Sequence, residues 1–181
     1  MQTWLVLIAY ASRLGSTREI AQAIGEVLAQ RGARVEVLPV EEVQHIEDYQ
    51  AIIVGSSIRD QAWLPEARRF IQIHLDRLQA LPLVYFMVCG QMSNPTPEHF
   101  HEVYEYSREM RELVEPIETG IFSGSLDYSR LSHEERVSVL SKGLPEGDFR
   151  RWQDIRAWAE DVYDRLQLQF ARSRAEENIR P

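Results

Sequence analysis

The residues best suited to chemistry lie close to the N-terminus. Ser12, Arg13, Leu14, Gly15, Ser16 and Thr17 separate an apolar run, residues 4–10, from a stretch whose apolar residues recur every three or four positions. A strand running through such a turn into a helix aims backbone N–H groups, hydroxyls and a helix N-terminus at one point, which is what a phosphate monoester needs. Gly15 lets the backbone come close. The same residues also read as a plain helix cap, with Ser16 and Glu19 as a capping box. Other phosphate sites are absent from the sequence: no G-x-x-x-x-G-K-[ST] occurs, and no G-x-G-x-x-G follows a strand. A G-x-S-x-G nucleophile elbow is missing too. The strand ends Tyr10-Ala11-Ser12 and Gly55-Ser56-Ser57 lack the carboxylates of a receiver domain.

The elements that position this turn alternate along the chain. Residues 4–10, 51–56 and 83–89 are wholly apolar, as central parallel strands buried on both faces are. Residues 34–39 form a shorter strand, and 118–126 a fifth. Between them, Ile20, Ile24, Val27 and Leu28 line one helix that stops at Gly32, and residues 67–78 and 100–114 keep the same period. A last helix places Ile155, Trp158, Ala159, Val162, Tyr163 and Leu166 on one stripe, with Asp148 as its N-cap. This alternation predicts an α/β fold with a parallel sheet covered on both faces. One domain spans residues 1–169, and 170–181 reads as a frayed or disordered tail. Two longer segments, 90–97 and 127–147, follow strands at their carboxyl ends, where open α/β sheets bind ligands.

Composition limits the partners. With 20 basic against 28 acidic residues, the 181-residue chain carries a net charge of −8, which argues against nucleic acid and anionic lipid. Cys89 is the one cysteine, so no intrachain disulfide forms and a reducing cytoplasm is the expected location. Residues 1–4 carry no charged leader region, and the apolar stretch at 5–9 is too short for a signal or a membrane span. The five histidines show no metal spacing, and His74 falls on the apolar stripe of its helix. Glu98, Glu102, Glu105, Glu109 and Glu112 would align along one face of a helix over 97–115, as a solvated face or a docking surface for a basic redox partner.

At the level of motifs, Ser12-x-Leu14-Gly15-x-Thr17 resembles the flavodoxin phosphate loop. The run from Ser12 to Ala21, with Gly55-Ser56-Ser57-Ile58-Arg59, is similar to the flavodoxin-like family of menaquinone-dependent protoporphyrinogen oxidases. Residues 120–128 and 145–150 also look like stretches of flavodoxin-domain proteins. The resemblance implies a three-layer sandwich with a five-stranded parallel sheet in the order 2-1-3-4-5, and FMN as cofactor. It implies that Ser12 and Thr17, with the amides of Arg13, Leu14, Gly15 and Ser16, hold the phosphate. Ser56, Ser57 and Ile58 would run along the ring system, and Cys89, Gly90, Gln91 and Met92 would form the opposite wall. Trp63 would either stack on the ring or sit in the core. Arg59 would either stabilise negative charge on the ring or pair with a carboxylate such as Asp60. A lone cysteine such as Cys89 usually acts only as a small hydrophobe.

The implied function is redox: an oxidoreductase acting on a quinone or porphyrinogen, or a one-electron carrier for a redox partner protein. A flavin-free binding module of the same fold is the alternative outside redox chemistry. Residues 129–147 are close to charge balance, in contrast to the basic, apolar segment of the oxidases, and this argues against membrane docking.

Overall fold

The computed structural model describes residues 4–177. Strands β1 (Leu5–Ala11), β2 (Arg34–Pro39), β3 (Ala51–Arg59), β5 (Leu83–Val88) and β6 (Glu118–Phe122) pair in parallel in the order β2-β1-β3-β5-β6, which is the 2-1-3-4-5 order expected. A two-residue strand, β4 (Ala62–Trp63), folds back antiparallel on the end of β3, pairing Ile58 with Trp63. In register, Tyr10 of β1 lies beside Gly55 of β3, and Gly55 lies beside Phe86 of β5. Gly55 is required there, because a Cβ would stand 1.9 Å from the Phe86 ring.

Helices cover both faces. On one side α1 (Ser16–Gln30) and α7 (Trp152–Glu177) bury Ile20, Ile24, Leu28, Ile155 and Val162 against Val6, Ile8, Ile53 and Phe86. Each fully buried Ile or Leu contributes about 1.5–3 kcal/mol. Gly32, at φ +102, turns the chain out of α1 into β2, and Tyr163 Oη donates to the Arg31 carbonyl at 2.7 Å, tying α7 to that corner. On the other side lie α2 (Pro65–Ile73), α3 (Leu75–Gln79), α4 (Pro97–Glu105) and α5 (Arg108–Leu113), with Phe70, Ile71, Leu78, Val103 and Met110 in a second core.

Three elements differ from the sequence expectation. The helix over 97–115 is two helices, because Ser107 is fully buried and its Oγ donates to the Tyr104 carbonyl at 2.7 Å, ending the first turn sequence there. The carboxylate row is broken with it: Glu105 takes Arg108 and Arg111, Glu109 takes Arg68, and Glu102 accepts from Gln91 and Tyr106. Residues 118–126 are not one strand. After β6 the chain turns at Ser123 and Gly124, and β7 (Ser125–Leu126) pairs antiparallel with β8 (Gly147–Asp148). Asp148 therefore belongs to that ribbon, where its carboxylate accepts from Arg150, and α7 starts four residues later at Trp152. The helix continues past Phe170 to Glu177, while residues 1–3, most of the stretch read as lacking a charged leader, and 178–181, the end of the expected tail, lie outside the described residues. Among the described residues no helix is long and apolar enough to cross a membrane.

Candidate functional site

The turn between β1 and α1 is built around Gly15. Its φ of 99° and ψ of −18° form a left-handed N-cap with no side-chain cap bond, so the first amides of α1 are left to other partners. Gly15 N–H donates to Ser12 Oγ at 3.1 Å, which closes the loop on itself. Ser16 and Glu19 do not form the capping box. Ser16 Oγ instead accepts from Ser125 N–H at 3.0 Å, and Glu19 pairs with Arg150. Thr17 is fully buried, with Oγ1 2.9 Å from Ser57 Oγ, so this pair of hydroxyls joins the loop to the end of β3.

These contacts frame a cavity of about 370 Å³ at the carboxyl edge of the sheet. Arg13, Leu14, Ser16 and Thr17 form one side of it, Ser57, Ile58 and Arg59 a second, and Gly90 with Ser93 a third. Other residues marked by the sequence take different places. Ser12 and Trp63 border a separate hollow of about 560 Å³, which shares Arg13, Arg59 and Asp60 with the first. Trp63 is 2% exposed and meets Tyr85 edge-on at 5.1 Å, so in this structure it is a core residue, away from the main cavity. Ser56 is buried and accepts from Leu64 N–H at 3.0 Å, which fastens the β3–β4 turn. Cys89 and Met92 are buried in the core, and burial pushes the Cys89 thiol up. Gln91 faces α4, where Nε2 donates to Glu102 at 2.9 Å. Among the described residues no group of three or more His, Cys, Asp or Glu could hold a metal ion.

The segment 127–147 covers the cavity. Its helix α6 (His133–Ser141) begins with a capping box in which Ser132 Oγ accepts from Glu135 N–H at 3.2 Å and Glu135 Oε2 accepts from Ser132 N–H at 2.9 Å. From this segment Leu131, Glu135, Val139, Lys142 and Leu144 line the cavity, and Phe149 closes it beyond. Arg59 pairs with Glu135 at 2.9 Å rather than with Asp60, which instead takes Lys142 at 2.9 Å. Arg13 also reaches Glu135, at 3.5 Å. The Ser132 N–H and then the Arg59 guanidinium hold the Glu135 carboxyl down at about 2. Leu144 lies against Gly90, where a Cβ would come within 3.1 Å of it. The sequence marks 127–147 as a segment placed to meet a ligand but does not single out these side chains, although Ser132-His133-Glu134-Glu135 carries a readable capping-box pattern.

The donor set suits a phosphate dianion on a flat, partly apolar group. An uncapped helix N-terminus and, on the cavity lining, the hydroxyls of Ser16 and Thr17 and the Arg13 cation supply donors. Ile58, Val88, Leu126 and Leu144 add apolar walls to the same cavity. Gly124 keeps the floor low, since a Cβ there would stand 3.0 Å from Val88 and 3.3 Å from Ser16 Oγ.

Comparison with known proteins agrees with this chemistry. A flavodoxin-domain family matches residues 7–141. The protoporphyrinogen IX dehydrogenase [quinone] of Escherichia coli is 24% identical over 169 residues, covering 86% of this chain and 93% of that protein. A flavodoxin from Streptococcus pneumoniae has a similar structure, with TM-score 0.58, 16% identity, and 91% of this chain and 99% of that one covered. Rubredoxin oxygen:oxidoreductase from Desulfovibrio gigas contains a similar part, with TM-score 0.60 and 18% identity over 92% of this chain and 37% of that one. The sheet order, the phosphate-type turn and the family match together place this chain in the flavodoxin-domain family, with FMN as the cofactor that family implies.

Proposed function

We propose that the chain is an FMN-dependent oxidoreductase exchanging two electrons with a small, flat substrate of the quinone or porphyrinogen class, in a reducing cytoplasm. The observation that carries this reading is the cover: residues 127–147 make a walled cavity of about 370 Å³ at the carboxyl edge of the sheet. FMN would lie in this cavity, so the cover would shield the edge of its ring and leave an approach suited to a small molecule rather than to a protein surface. The name of the Escherichia coli relative, 24% identical over most of the chain, supports the same substrate class. FMN supplies the electron chemistry once bound. The residues of the chain bind, orient and shield. The N-terminus of α1 and the hydroxyls of Ser16 and Thr17 hold the phosphate, Leu131, Val139 and Leu144 keep water from the cavity, and Arg59 presents a cation to negative charge arriving there.

The test is turnover of the FMN-loaded protein in lipid-free buffer with protoporphyrinogen IX as donor and menadione as acceptor. Saturable turnover, with cofactor reduction in one two-electron stage during redox titration, is the expected result. No turnover with either compound, together with two well-separated one-electron stages, would assign the chain to the electron carriers instead.

A further inference from the structure

Among the described residues, two of the three ion pairs that join the cover to the cavity rim meet at one carboxylate. Glu135 Oε1 accepts from Arg59 Nη1 at 2.9 Å and lies 3.5 Å from Arg13 Nε. Its other oxygen, Oε2, accepts the Ser132 N–H at 2.9 Å, so the start of α6 fixes where the carboxylate stands. The Glu135 side chain is 18% exposed and that of Arg59 33%, and both line the cavity. Arg59 thus has its direction set by a helix that belongs to the cover, not by the strand that carries it.

We propose that Glu135 is a positioning residue for the FMN site, aiming the Arg59 guanidinium along the cavity wall and offsetting its charge, so that the pair sets the reduction potential of the bound cofactor. The physical ground is the field inside a walled site. Reduction brings negative charge into the cavity, and a cation on the wall favours it. A carboxylate bonded to that cation cancels much of the favour. Removing only the charge of Glu135 therefore strengthens the hold on reduced FMN relative to oxidised FMN. The inference depends on FMN binding and not on the identity of the substrate.

Glu135→Gln is the informative change, because glutamine at this position also completes a capping box and α6 keeps its start. The measurement is the midpoint potential of the FMN-loaded protein by dye-equilibrated titration. The expected result is about a tenfold tighter hold on reduced relative to oxidised FMN, which for a two-electron couple is about 30 mV upward. Two companions separate positioning from a general change of field. Glu134 lines the same cavity and forms no ion pair among the described residues, so E134Q is expected to shift the potential less than E135Q. In an Arg59→Gln background, adding E135Q is expected to have a much smaller effect than it has alone. Equal shifts from E134Q and E135Q, or full additivity with R59Q, overturn the proposal, as does an unchanged potential in E135Q. Should E135Q not retain FMN, Glu135→Asp keeps the charge but shortens the reach. A potential displaced from the parent value then supports the positioning role, and an unchanged one refutes it.

Discussion

Replacing Gly15 by alanine separates a phosphate-binding turn from a simple helix cap. The residue sits at φ 99° and ψ −18°, where an L side chain is strained although the nearest atoms to a Cβ, on Arg130 and Glu19, are 3.8 and 3.9 Å away. Space is not the obstacle; the backbone is. If the turn keeps its shape, the strain costs about 1–2 kcal/mol, or roughly 2–8 °C in Tm for a chain of this size. If the turn relaxes instead, the Gly15 N–H leaves Ser12 Oγ and the neighbouring amides lose their common aim. Each charge-assisted hydrogen bond to a phosphate lost in this way is worth about 1.5–3 kcal/mol, or about ten- to a hundredfold in affinity. The assay is titration of FMN fluorescence in parallel with riboflavin, which has the same ring and no phosphate. G15A is expected to weaken FMN by that factor and leave riboflavin unaffected. An equal FMN affinity in parent and variant, with only Tm reduced, would show that the turn caps the helix and nothing more.

Two further outcomes test other parts of the structure. Trp63→Phe is expected to leave FMN affinity unchanged and to destabilise the protein by less than the ~3–5 kcal/mol of a truncation to alanine, because Trp63 packs on Tyr85 in the core and its Nε1 has no hydrogen-bond partner among the described residues; riboflavin and FMN titrations with a urea midpoint check both. Glu135 has a carboxyl lowered from 4.5 to about 2, so its contribution to stability is full above about pH 4.5 and is lost as the pH falls towards 2. The Tm advantage of the parent over E135Q is accordingly expected to shrink over that interval, and a difference that stays flat through it contradicts the assignment.

The sheet was legible because its central strands are buried on both faces and read as unbroken apolar runs, and because Gly32 and Gly15 sit where the backbone needs positive φ. The phosphate-type turn was legible for the same local reason. What stayed hidden depended on partners distant in sequence. Trp63 looks the same whether it faces a ring system or Tyr85, and only the fold of β4 onto β3 places it inside. The broken helix at Ser107 follows from a buried side-chain bond that periodicity does not show. Arg59 sits next to Asp60 in sequence, yet the cover brings Glu135 to it from 76 residues away. The cover was marked as a long segment at the carboxyl end of a strand, and its charge balance argued against membrane docking, but neither signal shows which rim residues it pairs with.

The cavity walls begin at Arg13 and end at Phe149, so the binding site is completed only by segments far apart along the chain. During synthesis, at about 5–20 residues per second, the phosphate-type turn emerges early, while its cover and the ribbon that bonds Ser125 to Ser16 emerge much later. Cofactor loading is consequently a late event that reads out the finished domain. A half-folded chain offers a helix end to a phosphate but no room shaped for the rest of the molecule. At a hundred times its Kd, a ligand held only by the finished state stabilises it by about 2.7 kcal/mol. Cofactor supply would then govern how much of this protein persists in a cell as well as how fast it works.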